Sequence, residues 1–176
     1  HTDAKTAYDF LAGQGGSPLT NNLATVGVLG PGVYSIGAAD LPASSTLTLN
    51  GSGIFIFNVA STLTMNVSSV VTGSANPCNV YWRVGTSATL NGTTFIGTVI
   101  ADASITVGGG IVSGRVLAGT GPTGAVTMPG SGGNTIGGCS VSSCPTITLA
   151  PATLPPGTVA VAYSQTIAGS GGTAPY

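Results

Sequence analysis

At 176 residues the chain is long enough for one full core and the beginning of a second domain. Charged residues make up only 4% of it and the formal net charge is -1, so no basic surface exists to hold nucleic acid or an anionic membrane. Hydrophobic residues reach 42%, the opposite of the weakly hydrophobic, highly charged composition that keeps a chain disordered.

The basic side chains are Lys5, Arg83 and Arg115 and the acids are Asp3, Asp9, Asp40 and Asp102, so most of the surface must be neutral. Thr, Ser, Asn and Gly interrupt every apolar run before it reaches the roughly eighteen residues of a spanning helix, and a soluble chain without membrane insertion is expected. A start at His1, without Met or a signal peptide, is expected to mark a processed or truncated N-terminus.

Residues 2–12, "TDAKTAYDFLA", place Ala4, Ala7, Tyr8 and Leu11 at helical spacing, and Gly13 follows as a stop signal. This segment is the one predicted helix. From Gly32 onward the chain turns into short β-rich runs separated by Gly, Asn and Ser, the texture of a stacked all-β architecture.

Those runs form a degenerate repeat: "GIFIFNVASTLTMNVSSVV" from Gly53, "NVYWRVGTSATLNGTTFIG" from Asn79, "TVIADASITVGGGIVSG" from Thr98 and "RVLAGTGPTGAVTMPG" from Arg115. Successive starts differ by 26, 19 and 17 residues, and the extra residues of the first interval fall in "TGSANPC", which reads as a loop. A period near twenty suits a β-solenoid, because each coil can bury its apolar side chains only against its neighbours.

Within the second strand of each coil, Leu63 and Met65 flank Thr64, Ala88 and Leu90 flank Thr89, Ile105 and Val107 flank Thr106, and Val126 and Met128 flank Thr127. Alternation of period two sends the flanking residues inward and the threonines outward. Stacking the coils would then set one threonine per coil in a file, with a step of about 4.7–4.9 Å.

After Ile136 the pattern stops. Residues 137–145, "GGCSVSSCP" and its neighbours, read as a linker, and residues 146–176 open a second β unit that ends too soon to close a sheet. Cys139 and Cys144 could close a small disulfide loop in an oxidising compartment, whereas Cys78, beside "NVYW", reads as a buried thiol acting as a small hydrophobe.

Enzymatic chemistry finds little material. Polysaccharide-cleaving solenoids need paired carboxylates or a bound cation, yet the chain has no Glu and its four Asp are scattered. No triad can be assembled around the single histidine, His1, and no catalytic residue is assigned. The His, Cys and Asp residues show no ligand spacing, so no metal or cofactor is expected, and "GGG" at 108–110 lacks the aspartates of calcium-binding repeats. The sequons at Asn50, Asn66 and Asn91 read as chance matches in a chain rich in Ser and Thr. Arg83 and Arg115 read as solvated or locally paired side chains at coil edges rather than an anion site.

What remains is the uncharged threonine face. Threonine is a good strand former that tolerates exposure, which is one account of it. The other is functional: methyls and hydroxyls in a regular array, free of charges that impose their own hydration, can hold surface water in an arrangement that merges with ice.

The blocks "GVYSIG", "LTLNGSGIFIFNVASTLTM", "CNVYWRVGTSATLNGTTFIGTVIADASITV" and "GRVLAGTGPTGAVTM" resemble the microbial ice-binding (antifreeze) protein family, over roughly residues 3–136. The resemblance implies an irregular right-handed, three-sided β-solenoid with an α-helix alongside, and a secreted, non-enzymatic protein whose partner is the ice crystal surface. It places the ice-binding residues at Thr64, Thr89, Thr106 and Thr127, with Thr62, Ser87 and Ser104 two residues earlier and Asp40 in "ADL" as weaker candidates. Family members carry solenoid strands before the helix, so the resemblance also implies an N-terminally truncated solenoid with uncovered strand edges. The tail "LPPGTVAVAYSQTIAGSGGTAPY" is similar to the opening of a bacterial immunoglobulin-like repeat, which implies further extracellular domains of a longer, cell-surface parent. The alternative reading is an adhesive or structural surface module that binds glycans, acts as a spacer, or joins copies of itself into filaments.

Overall fold

The computed structural model describes residues 2–129, 133–138 and 148–170. The chain divides into two compact units, His1–Ser140 and Val141–Tyr176.

In the first unit, short parallel strands stack into three ladders around one core. The first face is built from Ser17–Pro18, Gly32–Ile36, Phe55–Val59, Val80–Val84 and residues 98–101 and 115–117. The second is a five-stranded sheet of Ala39–Leu41, Leu63–Met65, Ala88–Leu90, Ile105–Val107 and Val126–Thr127. The third comprises Val28–Leu29, Thr46–Leu49, Val70–Thr72, residues 94–96 and 111–113, and Thr135–Ile136.

Faces one and three merge into one curled sheet because Thr94–Ala101 and Ile111–Leu117 run through the corner between them without a break. At that corner Gly97 pairs with Gly114, at φ +119° and +152°. A Cβ on Gly114 would collide with the carbonyl oxygen of Gly97, so the corner requires glycine on both conformational and steric grounds.

Aromatic residues fill the core in register. Tyr34, Phe57 and Trp82 occupy aligned positions of successive coils, with ring centroids 5.4 Å and 3.9 Å apart, and Phe95 tilts against Trp82 at 5.4 Å. Trp82 is fully buried and its Nε1–H donates to the Ile96 carbonyl at 3.2 Å, so its one polar group keeps a partner.

The helix α1 (Thr2–Ala12) forms where the apolar spacing predicts it and ends where the Gly13 N–H donates to the Asp9 carbonyl. Its buried Tyr8 and Leu11 pack on Ile56 and Ile100. Those are outward-facing residues of the first face, and an apolar outer surface needs such a cover. The Arg83 guanidinium lies 4.2 Å from the Tyr8 ring centroid, a cation–π contact that ties helix to sheet. Burial raises the Tyr8 hydroxyl pKa above its ordinary value, against the opposing pull of the Arg83 charge.

The structure corrects four sequence expectations. Strands begin before Gly32: Ser17–Pro18, the 3-10 turn Leu23–Thr25 and Val28–Leu29 form a first coil that buries Leu23. Strand register sets Phe55 against Val80 and Tyr81 against Thr98, offsets of 25 and 17 residues rather than 26 and 19. Cys78 is half-buried in the turn Pro77–Asn79 instead of fully buried. Val126 sits at a core-facing position opposite Ile105 but is 40% exposed, and Met128 is 45% exposed.

In the second unit, Thr148–Ala150 pairs antiparallel with Ala168–Ser170. The expected linker, apart from Gly137 and Gly138, lies outside the described residues, as do Cys139 and Cys144.

Among the described residues no helix is long and apolar enough to cross a membrane, and no cluster of three His, Cys, Asp or Glu residues could hold a metal ion.

Candidate functional site

Charge is sorted by face. Asp3, Lys5 and Asp9 lie on α1, and Lys5 pairs with Asp9. Arg83 and Arg115 lie on strands of the first face, and Asp102 follows its strand end at Ala101. The described strands of the third face carry no charge, and those of the second carry only Asp40.

The second face therefore presents a surface with a single charged side chain, Asp40 at one end, and its register decides which side chains line up on it. Asp40 opposes Thr64, Thr64 opposes Thr89, Thr89 opposes Thr106 and Thr106 opposes Thr127. Each central residue points outward between two residues that point into the core, and Leu63, Met65, Ala88, Leu90, Ile105 and Val107 are all at least 98% buried. The threonines of the three central strands are half-buried by their neighbours, while Thr127 on the edge strand is exposed.

All four threonines thus fall into one file. Asp40 is its fifth member, held by a 2.8 Å hydrogen bond from Asn66 Nδ2 to Oδ1. Asn22, bridged to Asp40, continues the file onto the first coil. Sequence reasoning passed over Asn22 because a single β-bridge leaves no alternation to read.

Thr62, Ser87 and Ser104 form a second, parallel file. Their carbonyls accept from the N–H groups of Ala39, Leu63 and Ala88, which carries the ladder one residue pair further along each coil. The hydroxyls differ in availability. Ser104 Oγ accepts from the Ala125 N–H at 3.3 Å, whereas the hydroxyls of Thr64, Thr89, Thr106 and Thr127 make no hydrogen bond to protein among the described residues. Each of those four hydroxyls can still both donate and accept toward whatever lies above the face.

The arrangement is rigid. Threonine is stiff at χ1, the three central strands are hydrogen-bonded on both sides, and the shared apolar core lies beneath them. Such a face can hold methyls and hydroxyls in a fixed two-dimensional array. Steps of about 4.7–4.9 Å run across the strands, and about 6.6–6.8 Å separates outward positions along each strand.

Residues 1–133 match the family model described as ice-binding-like. The chain belongs to the ice-binding protein family. It is 40% identical over 135 residues to an ice-binding protein of Nostoc sp. (strain HG1), covering 72% of this chain and 49% of that protein. An ice-binding protein from an Antarctic biological consortium superposes with a TM-score of 0.65 at 37% identity, covering 76% of this chain and 62% of the other. An ice-binding protein from the Antarctic ascomycete Antarctomyces psychrotrophicus gives 0.63 at 31% identity, covering 80% and 70%. The chain spans about half the length of the Nostoc relative. The β-helical, mostly parallel architecture with one helix is common to the ice-binding proteins of known structure that it resembles.

Proposed function

We propose that this ice-binding family domain adsorbs to ice through its second face, with Thr64, Thr89, Thr106 and Thr127 as the central contact file and Thr62, Ser87 and Ser104 beside it. The observation that carries the reading is the register: four successive coils bring these threonines into one line, with their hydroxyls unclaimed by protein, on a face whose strands carry no charge beyond Asp40.

Each contact is individually weak. Water bound by one hydroxyl gains little, because a hydrogen bond to protein replaces one to bulk water. A rigid file makes many such contacts at once without a fresh entropic cost for each, which is the benefit of preorganisation. Adsorbed molecules then stop the crystal front from advancing between them, inhibiting growth and recrystallisation. The reading is non-enzymatic and extracellular, since ice forms first in the surroundings of a cell. The adhesive alternative draws no support from the family match. For residues 146–176 we retain the reading of an opening immunoglobulin-like unit, with which the antiparallel pair Thr148–Ala150 and Ala168–Ser170 is compatible.

The test is ice-recrystallisation inhibition by the purified chain beside Thr106→Tyr, with circular dichroism on both. Stronger inhibition by the parent than by the folded variant is expected; equal inhibition by the two would remove the second face from the mechanism.

A further inference from the structure

The helix packs on the first of the three solenoid faces and not on the other two. The third face has the same physical attributes that make the second a candidate. No charged residue lies on its described strands. Register sets Thr46 against Val70, Val70 against Thr94, Thr94 against Ile111 and Ile111 against Thr135, so five successive coils contribute one outward residue each. All five are β-branched. A second file beside it aligns Val28, Thr48 and Thr72, again all β-branched. The turn Pro77–Asn79 packs against the next two strands, Thr94–Ala101 and Ile111–Leu117.

β-branched residues occupy strands for reasons of their own, but an outward file composed of them alone is a stiff array of methyls with a hydroxyl at every second coil. The hydroxyls of Thr46, Thr94 and Thr135 make no hydrogen bond to protein among the described residues. Faces two and three also adjoin: within one coil Ala88–Leu90 and Thr94–Ala101 are separated only by residues 91–93. The inward-facing Leu47, Val71, Phe95 and Val112 behind the third face are as fully buried as those behind the second. The two arrays are therefore held at a fixed angle by one shared core.

Resting on the ice-adsorption reading, we infer that the third face is a second, independent ice-contact surface, with the file Thr46, Val70, Thr94, Ile111 and Thr135 as its centre. Its spacing of methyls and hydroxyls differs from that of the all-threonine file, so it takes a different plane of the crystal. A molecule with two such faces can adsorb in two orientations.

The decisive experiment labels the chain at the Lys5 amine, which lies on the helix side, and grows a single ice crystal from the labelled solution to see which planes take up fluorescence. Parent protein is compared with Thr89→Tyr on the second face and with Thr94→Tyr and Thr135→Tyr on the third, all checked for parental thermal midpoints. Thr135 is exposed, so its variant tests the face even if the half-buried Thr94 variant fails to fold. The expected result is two sets of planes for the parent, one lost in Thr89→Tyr and the other in the third-face variants. A single set, lost in Thr89→Tyr and unchanged in Thr94→Tyr and Thr135→Tyr, overturns the second contact surface while the function stands. No uptake by a folded parent overturns both.

Discussion

Thr64 and Thr89 lie directly opposite one another on adjacent parallel strands, although 25 residues of chain separate them. Nothing on the outer surface holds that alignment; it is held from beneath, where Met65 and Leu90 are also paired and fully buried. A one-residue slip of either strand would turn its threonine into the core and its flanking apolar residues into water. The outer array is in this sense a by-product of core packing, and its function is sensitive to substitutions at a distance from it.

The loss of ice activity should depend on position in the file. Thr89 has threonine neighbours on both sides, whereas Thr127 lies on the edge strand. Thr89→Tyr should lower recrystallisation inhibition more than Thr127→Tyr does. Titrating the minimum inhibitory concentration of each variant checks the order.

Trp82→Ala should cost about 3–5 kcal/mol in unfolding free energy, because it removes the most tightly stacked ring of the aromatic column and leaves a cavity beneath the first face. Denaturant unfolding followed by circular dichroism reads this. Phe95, at the tilted end of the column, should show a smaller effect when changed to Leu.

Gly114→Ala should destabilise by about 2–3 kcal/mol, since φ is +152° and the new methyl meets the Gly97 carbonyl. Gly27→Ala is a useful contrast: its φ is also positive, at +74°, but nothing lies within 4 Å of the added carbon, so backbone strain acts there without a collision. A larger drop in thermal midpoint for Gly114→Ala separates the two causes.

Tyr8 makes stability depend on alkaline pH. Burial raises its folded pKa above the ordinary 10.0. Between the unfolded and folded values the unfolded chain has released its proton while the native state retains it, so stability is full below about pH 10 and falls as pH rises through the folded value. Thermal midpoints from pH 8 to 11 should decline over that upper range in the parent and more weakly in Tyr8→Phe. Phenylalanine keeps the ring under Arg83 but has no proton to lose.

A double-mutant cycle across that contact, Tyr8→Leu with Arg83→Met, should give a coupling of about 0.5–2 kcal/mol. A coupling near zero would mean that α1 is held by its apolar packing on Ile56, Ile100 and their neighbours.

Local sequence carried several features because each is encoded by a period that side-chain chemistry must obey. The helix over residues 2–12 was legible from the spacing of Tyr8 and Leu11, and the inward and outward positions around Thr64, Thr89 and Thr106 from strict alternation. The first coil was not, because strands of two residues such as Ser17–Pro18 and Val28–Leu29 are too short to alternate. The third face was hidden for a different reason: its outward Val70 and Ile111 are apolar, so inside and outside look alike in the sequence.

By itself, then, the sequence determined the buried and outward positions around Thr64, Thr89 and Thr106, and that the open surface would be nearly free of charge. Only the tertiary structure decided that the file runs on through Asp40 to Asn22, and that a second, uncharged array adjoins it. The physical reason is that coils differ in length. Loops absorb the excess residues at their corners, and only the mutual packing of buried layers fixes how much each absorbs, and hence which threonine of one coil meets which of the next.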